Sequence, residues 1–189
     1  MTVNSQPASA GTVSATVAAN SSANPIPLNL SGGTATSVAV ETQASHGTAT
    51  ANGTSISYTP NAGYSGSDSF TYTATGGGVT SAPATVSLTV TAPTLTLTPT
   101  KLASATANTA HSQTLNASGG TGPYSFRVTS GALPTGFTLS SGGILSGTPT
   151  VPGTFNLTVE ATDSLGATGT QSYSLSVADQ APVVSAVSA

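Results

Sequence analysis

Phe70-Thr71-Tyr72-Thr73-Ala74-Thr75, leading to Ala84-Thr85-Val86-Ser87-Leu88-Thr89-Val90, returns further along the chain in a second version. That version is Phe155-Asn156-Leu157-Thr158-Val159-Glu160-Ala161, leading to Gln171-Ser172-Tyr173-Ser174-Leu175-Ser176-Val177. All four runs alternate apolar with mostly hydroxyl-bearing residues, the period of a strand that buries one face. Two such runs joined by a turn-rich segment read as a β-hairpin, and the recurrence reads as two domains built alike. The inward rows are Phe70, Tyr72 and Ala74 with Val86, Leu88 and Val90, then Phe155, Leu157, Val159 and Ala161 with Tyr173, Leu175 and Val177. The expected fold is all-β, two tandem Greek-key sandwiches of about seven strands each.

Working outward from the first hairpin, alternation predicts strands over 12–18, 26–30, 37–42, 49–58, 68–75 and 85–91. Asn52-Gly53 stands between two alternating runs and predicts a type I′ turn, for which both residue types tolerate positive φ. Thr91-Ala92-Pro93-Thr94 reads as a short, proline-stiffened linker that restricts the relative orientation of the domains. Beyond it, strands are expected over 94–98, 112–117, 124–129, 137–139, 144–146, 154–162 and 168–177. Pro83, Pro93, Pro99, Pro149 and Pro152, which lack an N–H, suit strand ends and edges. The boundaries are then an N-terminal tail over 1–11, a first domain over 12–92, a second over 93–178, and a segment over 179–189 that is a tail or the start of a next repeat. Met1 reads as an added start, and the whole as a piece of a longer protein. An odd number of strand passes sends the chain in at one pole and out at the other, about 35–45 Å per domain.

Composition narrows the chemistry more than the fold. Only 4% of the 189 residues are charged, with five acids against two bases and a net charge of -3. No basic stripe is present to neutralise phosphates, so nucleic acid is excluded as an expected partner. Cys and Trp are absent and His occurs twice, which removes disulfides and zinc-thiolate sites. No apolar run is long enough to span a bilayer, so no membrane insertion is expected of this stretch. A surface of neutral hydroxyls should make stability and solubility depend weakly on pH and salt.

Two resemblances rest on particular motifs. Ser45-His46-Gly47-Thr48-Ala49-Thr50, then Tyr58-Thr59-Pro60 and Gly66-Ser67-Asp68-Ser69-Phe70-Thr71-Tyr72, resemble the bacterial Ig-like, cadherin-like repeats of large surface proteins. Gly122-Pro123-Tyr124-Ser125-Phe126, Gly131-Ala132-Leu133-Pro134, Gly143-Ile144-Leu145-Ser146-Gly147-Thr148-Pro149 and Thr162-Asp163-Ser164-Leu165-Gly166 are similar to the family named Putative Ig domain, of bacterial cell-surface and autotransported proteins. Together the resemblances cover roughly residues 13–178. They imply a secreted or surface-displayed protein, a multi-repeat adhesin, whose partners are neighbouring repeats of the same protein and a host or surface glycan or protein. They supply no catalytic site.

The residues themselves offer little chemistry. No Gly-x-Ser-x-Gly elbow surrounds a candidate nucleophile, and His46 and His111 fall in different domains, so no enzyme is expected and no catalytic residue is named. Asp68 and Asp163 are expected to cap turns through their own backbone, and Asn52, Gly53, Phe70, Tyr72, Phe155 and Tyr173 to have structural roles. No cofactor is expected. If Ca²⁺ binds, Glu160, Asp163 and Asp179 are its candidate donors. Tyr64 and Tyr124 are the aromatics to inspect for sugar binding, and Lys101, the only lysine, is the sole candidate for an isopeptide link. The leading function is an extracellular stalk or spacer in a bacterial adhesin or autotransported protein, presenting a binding region away from the cell. Two alternatives stay open. One is a filament subunit joined by strand addition through 12–18 or 183–187, its edges lacking lysine gatekeepers. The other is a carbohydrate-binding accessory module of a secreted enzyme or phage virion protein.

Overall fold

The structure, a computed structural model, describes residues 6–181. The chain falls into two compact units that divide between Pro93 and Thr94. Among the described residues all regular structure is β.

In the first unit, alternation produces β1 (Ala8–Gly11), β2 (Val13–Ala18), β3 (Asn24–Ile26), β4 (Asn29–Gly32), β5 (Ser37–Thr42), β6 (Gly47–Asn52), β7 (Ser55–Pro60), β8 (Gly66–Gly76), β9 (Val79–Thr80) and β10 (Ala84–Thr91). One sheet has the order β2-β10-β8-β5, with β9 paired to β8; the other has β3-β7-β6, and β1 pairs with β4. Ile26, Ile56, Tyr58, Phe70, Tyr72, Val86, Leu88 and Val90 are buried together between them. β1 and β2 are halves of one broken strand, and β3 and β4 of another. Counted this way, and with β9 as an extension of a hairpin, the sandwich has seven strand positions. The second break falls at Pro27-Leu28, where a missing N–H interrupts the ladder.

The second unit repeats the plan with β11 (Thr96–Thr98), β12 (Ala105–Thr106), β13 (His111–Thr114), β14 (Asn116–Ser118), β15 (Ser125–Gly131), β16 (Phe137–Leu139), β17 (Ile144–Gly147), β18 (Gly153–Thr162) and β19 (Thr168–Ala178). Its sheets are β12-β19-β18-β15 and β13-β17-β16, with β11 on β14. Leu97, Leu115, Phe126, Phe137, Leu145, Leu157, Val159, Tyr173 and Leu175 fill the core. Phe155, expected inside, packs against that core half-buried.

In each unit the broken first strand lies parallel to the last. Val13 to Ala18 pair with Val86 to Thr91, and Ala105 and Thr106 pair with Val177 and Ala178. A chain whose first and last strands run the same way enters at one pole and leaves at the other.

Four expectations change. The stretch 1–11, expected to be tail, contains β1, held in register with β4 from Ala8↔Gly32 to Gly11↔Asn29; its small Ala-Ser-Ala residues give alternation too faint to signal a strand. The strands expected over 26–30 and 112–117 are each broken in two. The turn at Asn52-Gly53 is displaced by one residue: Asn52 pairs with Ser55, and the loop is Gly53-Thr54. Gly53 has φ 62° while Asn52 does not enter the positive region, the pattern of a type II′ turn. The shift moves the register by two residues and keeps every side chain on its face, placing Ala49 opposite Tyr58 and Ala51 opposite Ile56. Finally, of 12–18, considered as a donor strand, Val13 to Ala18 are already paired within their own sheet, and 183–187 lies outside the described residues.

Candidate functional site

Asp68 occupies an inward position on β8, two residues before the buried Phe70. A carboxylate there needs donors on every side, and it has them. Its oxygens accept from the amides of Ser45 at 3.1 Å, His46 at 3.0 Å and Ser69 at 2.9 Å, and from the Tyr58 hydroxyl at 2.6 Å. Burial pushes its pKa upward, but the Tyr58 hydroxyl and the three amides override burial and hold it below the usual carboxylate value. The same contact, with burial first, drives the Tyr58 phenol well above its ordinary range. The expectation for Asp68 is therefore corrected: it lies within β8 rather than at a turn of its own and, besides the Ser69 amide, clasps a loop more than twenty residues earlier in the chain. Gly47 belongs to this clasp, because a Cβ there would overlap the Tyr58 ring. His46 stacks on Tyr64 with ring centroids 4.1 Å apart, and the Tyr64 hydroxyl donates to the Ser67 carbonyl.

Asp163, at the end of β18, accepts from the amides of Leu165 at 2.9 Å and Ala167 at 2.8 Å in its own turn, and from Thr121 at 2.9 Å in a distant loop. The Thr121 amide is the largest influence on its pKa; with the turn amides it outweighs burial and keeps the carboxyl low.

A pair of tyrosines clamps the broken first strands. The Tyr72 hydroxyl shares its proton between the Gly11 carbonyl at 2.9 Å and that of Asn29 at 3.1 Å; in the second unit Tyr173 donates to Pro99 at 2.9 Å. Gly11 and Asn29 are the residues of β1 and β4 that border the breaks, and Pro99 lies in the break between β11 and β12.

Alternation passes over one repeated element because glycine has no parity. Ser31-Gly32-Gly33-Thr34 and Ser118-Gly119-Gly120-Thr121 are identical tetrapeptides at the end of the second strand in both units. Each lies flat against the incoming chain. A Cβ on Gly33 would overlap the Gln6 carbonyl, and one on Gly119 the Thr94 carbonyl. A search for exact internal repeats would have found it.

The remaining candidates are dispersed. Glu160 is engaged by Arg127, whose Nε and Nη2 both lie 2.7 Å from one carboxylate oxygen. Asp179 accepts from the Gln180 amide. The structure does not bring Glu160, Asp163 and Asp179 together, and among the described residues no three His, Cys, Asp or Glu side chains are grouped to hold a metal. Tyr124 donates to Gly119 at 2.6 Å and, like Tyr64, packs half-buried on its core. Neither presents an open ring platform. Lys101 is exposed. His111 tilts against Phe137 with its Nε2 buried and unpaired.

Residues 4–89 match the family model described as Bacterial Ig domain, and residues 92–178 match that described as Putative Ig domain. No curated protein matches the chain. Among solved structures, a putative alpha-galactosidase/melibiase of Bacteroides fragilis is 24% identical over 44% of this chain, with a TM-score of 0.39; this chain covers 17% of that one. Protocadherin Gamma B7 extracellular cadherin domains 1-4 are 12% identical over 94% of this chain and 52% of that one, with a TM-score of 0.41. Mouse Cadherin-23 EC22-24 is 15% identical over 94% of this chain and 66% of that one, with a TM-score of 0.39.

Proposed function

We propose, from the premise that this chain belongs to the bacterial Ig-like domains and carries two of them in tandem, that it is a spacer in a bacterial adhesin or autotransported surface protein. Tandem domains of this kind are extracellular repeats and are typically non-catalytic. The observation that carries the spacer reading is the parallel pairing of first and last strands in each domain. A domain that takes the chain in at one pole and releases it at the other adds length for each copy inserted. The strand over Thr168–Ala178 alone is worth about 35 Å of rise.

Two further features support the reading. Exposed faces are dressed with Ser and Thr rather than charge, which suits function in media of uncontrolled salt. The Asp68 and Asp163 clasps tie loops at the poles, where a load along the chain would be applied.

Electron microscopy of the purified chain over a concentration series tests this. Isolated two-lobed particles about twice the length of one domain support the spacer. Ordered filaments overturn it in favour of strand addition between copies.

A further inference from the structure

Two shallow hollows, one in each domain, lie over the last hairpin of the shared plan. In the first domain Ser67 and Ser69 of β8 and Ser87 and Thr89 of β10 line a hollow of about 530 Å³, beside Ser45 and His46. In the second, Asn156 and Thr158 of β18 and Ser172 and Ser174 of β19 line one of about 380 Å³, beside Ser130 and Gly131 of β15. The floor pairs are in cross-strand register, Ser69↔Ser87 and Ser67↔Thr89, then Asn156↔Ser174 and Thr158↔Ser172. Both hollows therefore lie over the last hairpin, the first toward the end of β10 and the second near the middle of β19.

A register shift falls between Val128 and Ser130 on β15, where Ser130 pairs with Thr158 of the second hollow, and such a bulge bends the strand that carries it. The shift on β5, between Val40 and Thr42, lies opposite Tyr72 and Thr71, outside the first hollow. Two domains that match different family models thus each carry a polar recess on the last hairpin.

We propose that each hollow binds a neutral carbohydrate chain. The exposed side chains of the linings are mainly hydroxyls and an amide, able to donate and accept as sugar hydroxyls require; Leu88, Leu157 and Tyr173, which also line them, are buried. The one carboxylate in the first hollow, Asp68, is already satisfied by four donors, and the second has no charged lining residue, so an anionic or cationic ligand finds no counter-charge. At the first hollow an extended peptide has no free ladder to join, since β8 and β10 are each paired on both sides. Without an exposed aromatic platform in the floor each site is weak. This goes beyond the spacer reading, which stands or falls separately by particle length.

The test uses the intact chain labelled for amide NMR and titrated with cellohexaose, maltohexaose and mannohexaose, with a heparin hexasaccharide as the anionic control. The expected result is perturbation by at least one neutral oligosaccharide, at Ser67–Ser69 and Ser87–Thr89 and at residues 156–158 and 172–174 together. Ser69→Ala with Ser87→Ala should weaken the first site about tenfold, and Asn156→Ala with Ser174→Ala the second, each leaving the other unchanged. These side chains are exposed, so melting temperatures should stay put and certify the fold. No perturbation by any neutral oligosaccharide, a response to heparin alone, shifts centred on Tyr64 or Tyr124, or binding in one domain only would each overturn the proposal.

Discussion

The Tyr58 hydroxyl donates to the Asp68 carboxylate at 2.6 Å, joining the two sheets of the first domain through a buried contact. Tyr58 belongs to β7 and Asp68 to β8, so the bond works as a polar rivet through an otherwise apolar core. Tyr58→Phe keeps the ring packed on Phe70 and removes only the donor. The expected loss is about 1.5–3 kcal/mol, the range for a hydrogen bond to a charged group. In urea unfolding followed separately for each domain, the first transition should move to lower denaturant while the second stays. An unchanged first midpoint would show that the bond contributes nothing net.

The two clasps set the pH profile. Asp68 and Asp163 both have folded pKa values below their ordinary ones. Their stabilisation is therefore fully present above the unfolded value of about 3.9 and is lost as the pH falls through the lower folded values. Tyr58 and Tyr173 are shifted the other way, both chiefly by burial, so their contribution is intact below about pH 10 and declines above it. Thermal unfolding should show a broad plateau between these limits. Asp68→Asn should flatten the acid limb of the first domain and leave that of the second, a pattern visible in a pH series of melting midpoints.

Glycine at the strand seats is chiefly a matter of space. Gly33 and Gly119 lie against the carbonyls of Gln6 and Thr94 with no room for a Cβ, and Gly119 also has φ 84°. Gly53 has φ 62° but open surroundings. Gly33→Ala and Gly119→Ala should each cost about 3 kcal/mol or more, because backbone must move, whereas Gly53→Ala should cost about 1 kcal/mol of conformational strain. Amide exchange would locate the difference. Gly33→Ala should expose β1, and Gly53→Ala should leave it protected.

What was legible in the sequence follows from what alternation encodes. Phe70, Tyr72, Val86, Leu88, Leu157, Val159 and Leu175 lie inside as their parity requires, because a face-by-face period is a local property. The partners of the polar groups were not legible. Asp68 is satisfied by amides of Ser45 and His46, and Tyr72 by carbonyls of Gly11 and Asn29; backbone groups are the same at every residue and leave no mark on composition. The hollows escaped for a related reason. A serine on an outward strand position looks alike whether it borders solvent or a recess, and only the placement of neighbouring elements, such as Ser45 and His46 or Ser130 and Gly131, tells them apart.

Calcium should have no effect on stability. A cation needs carboxylate oxygens with free lone pairs directed at one point. Asp163 instead directs its oxygens at the amides of Thr121, Leu165 and Ala167, a ring of N–H dipoles whose positive ends repel a cation. Glu160 is held by Arg127, which is largely exposed, so that pair is worth less than about 1 kcal/mol and its charge is already compensated. Melting curves recorded with chelator and with added Ca²⁺ should superimpose for both domains. A midpoint for the second domain that rises with Ca²⁺ would mean that the turn over 163–167 rearranges to release Asp163, and Asp163→Asn should then abolish the rise.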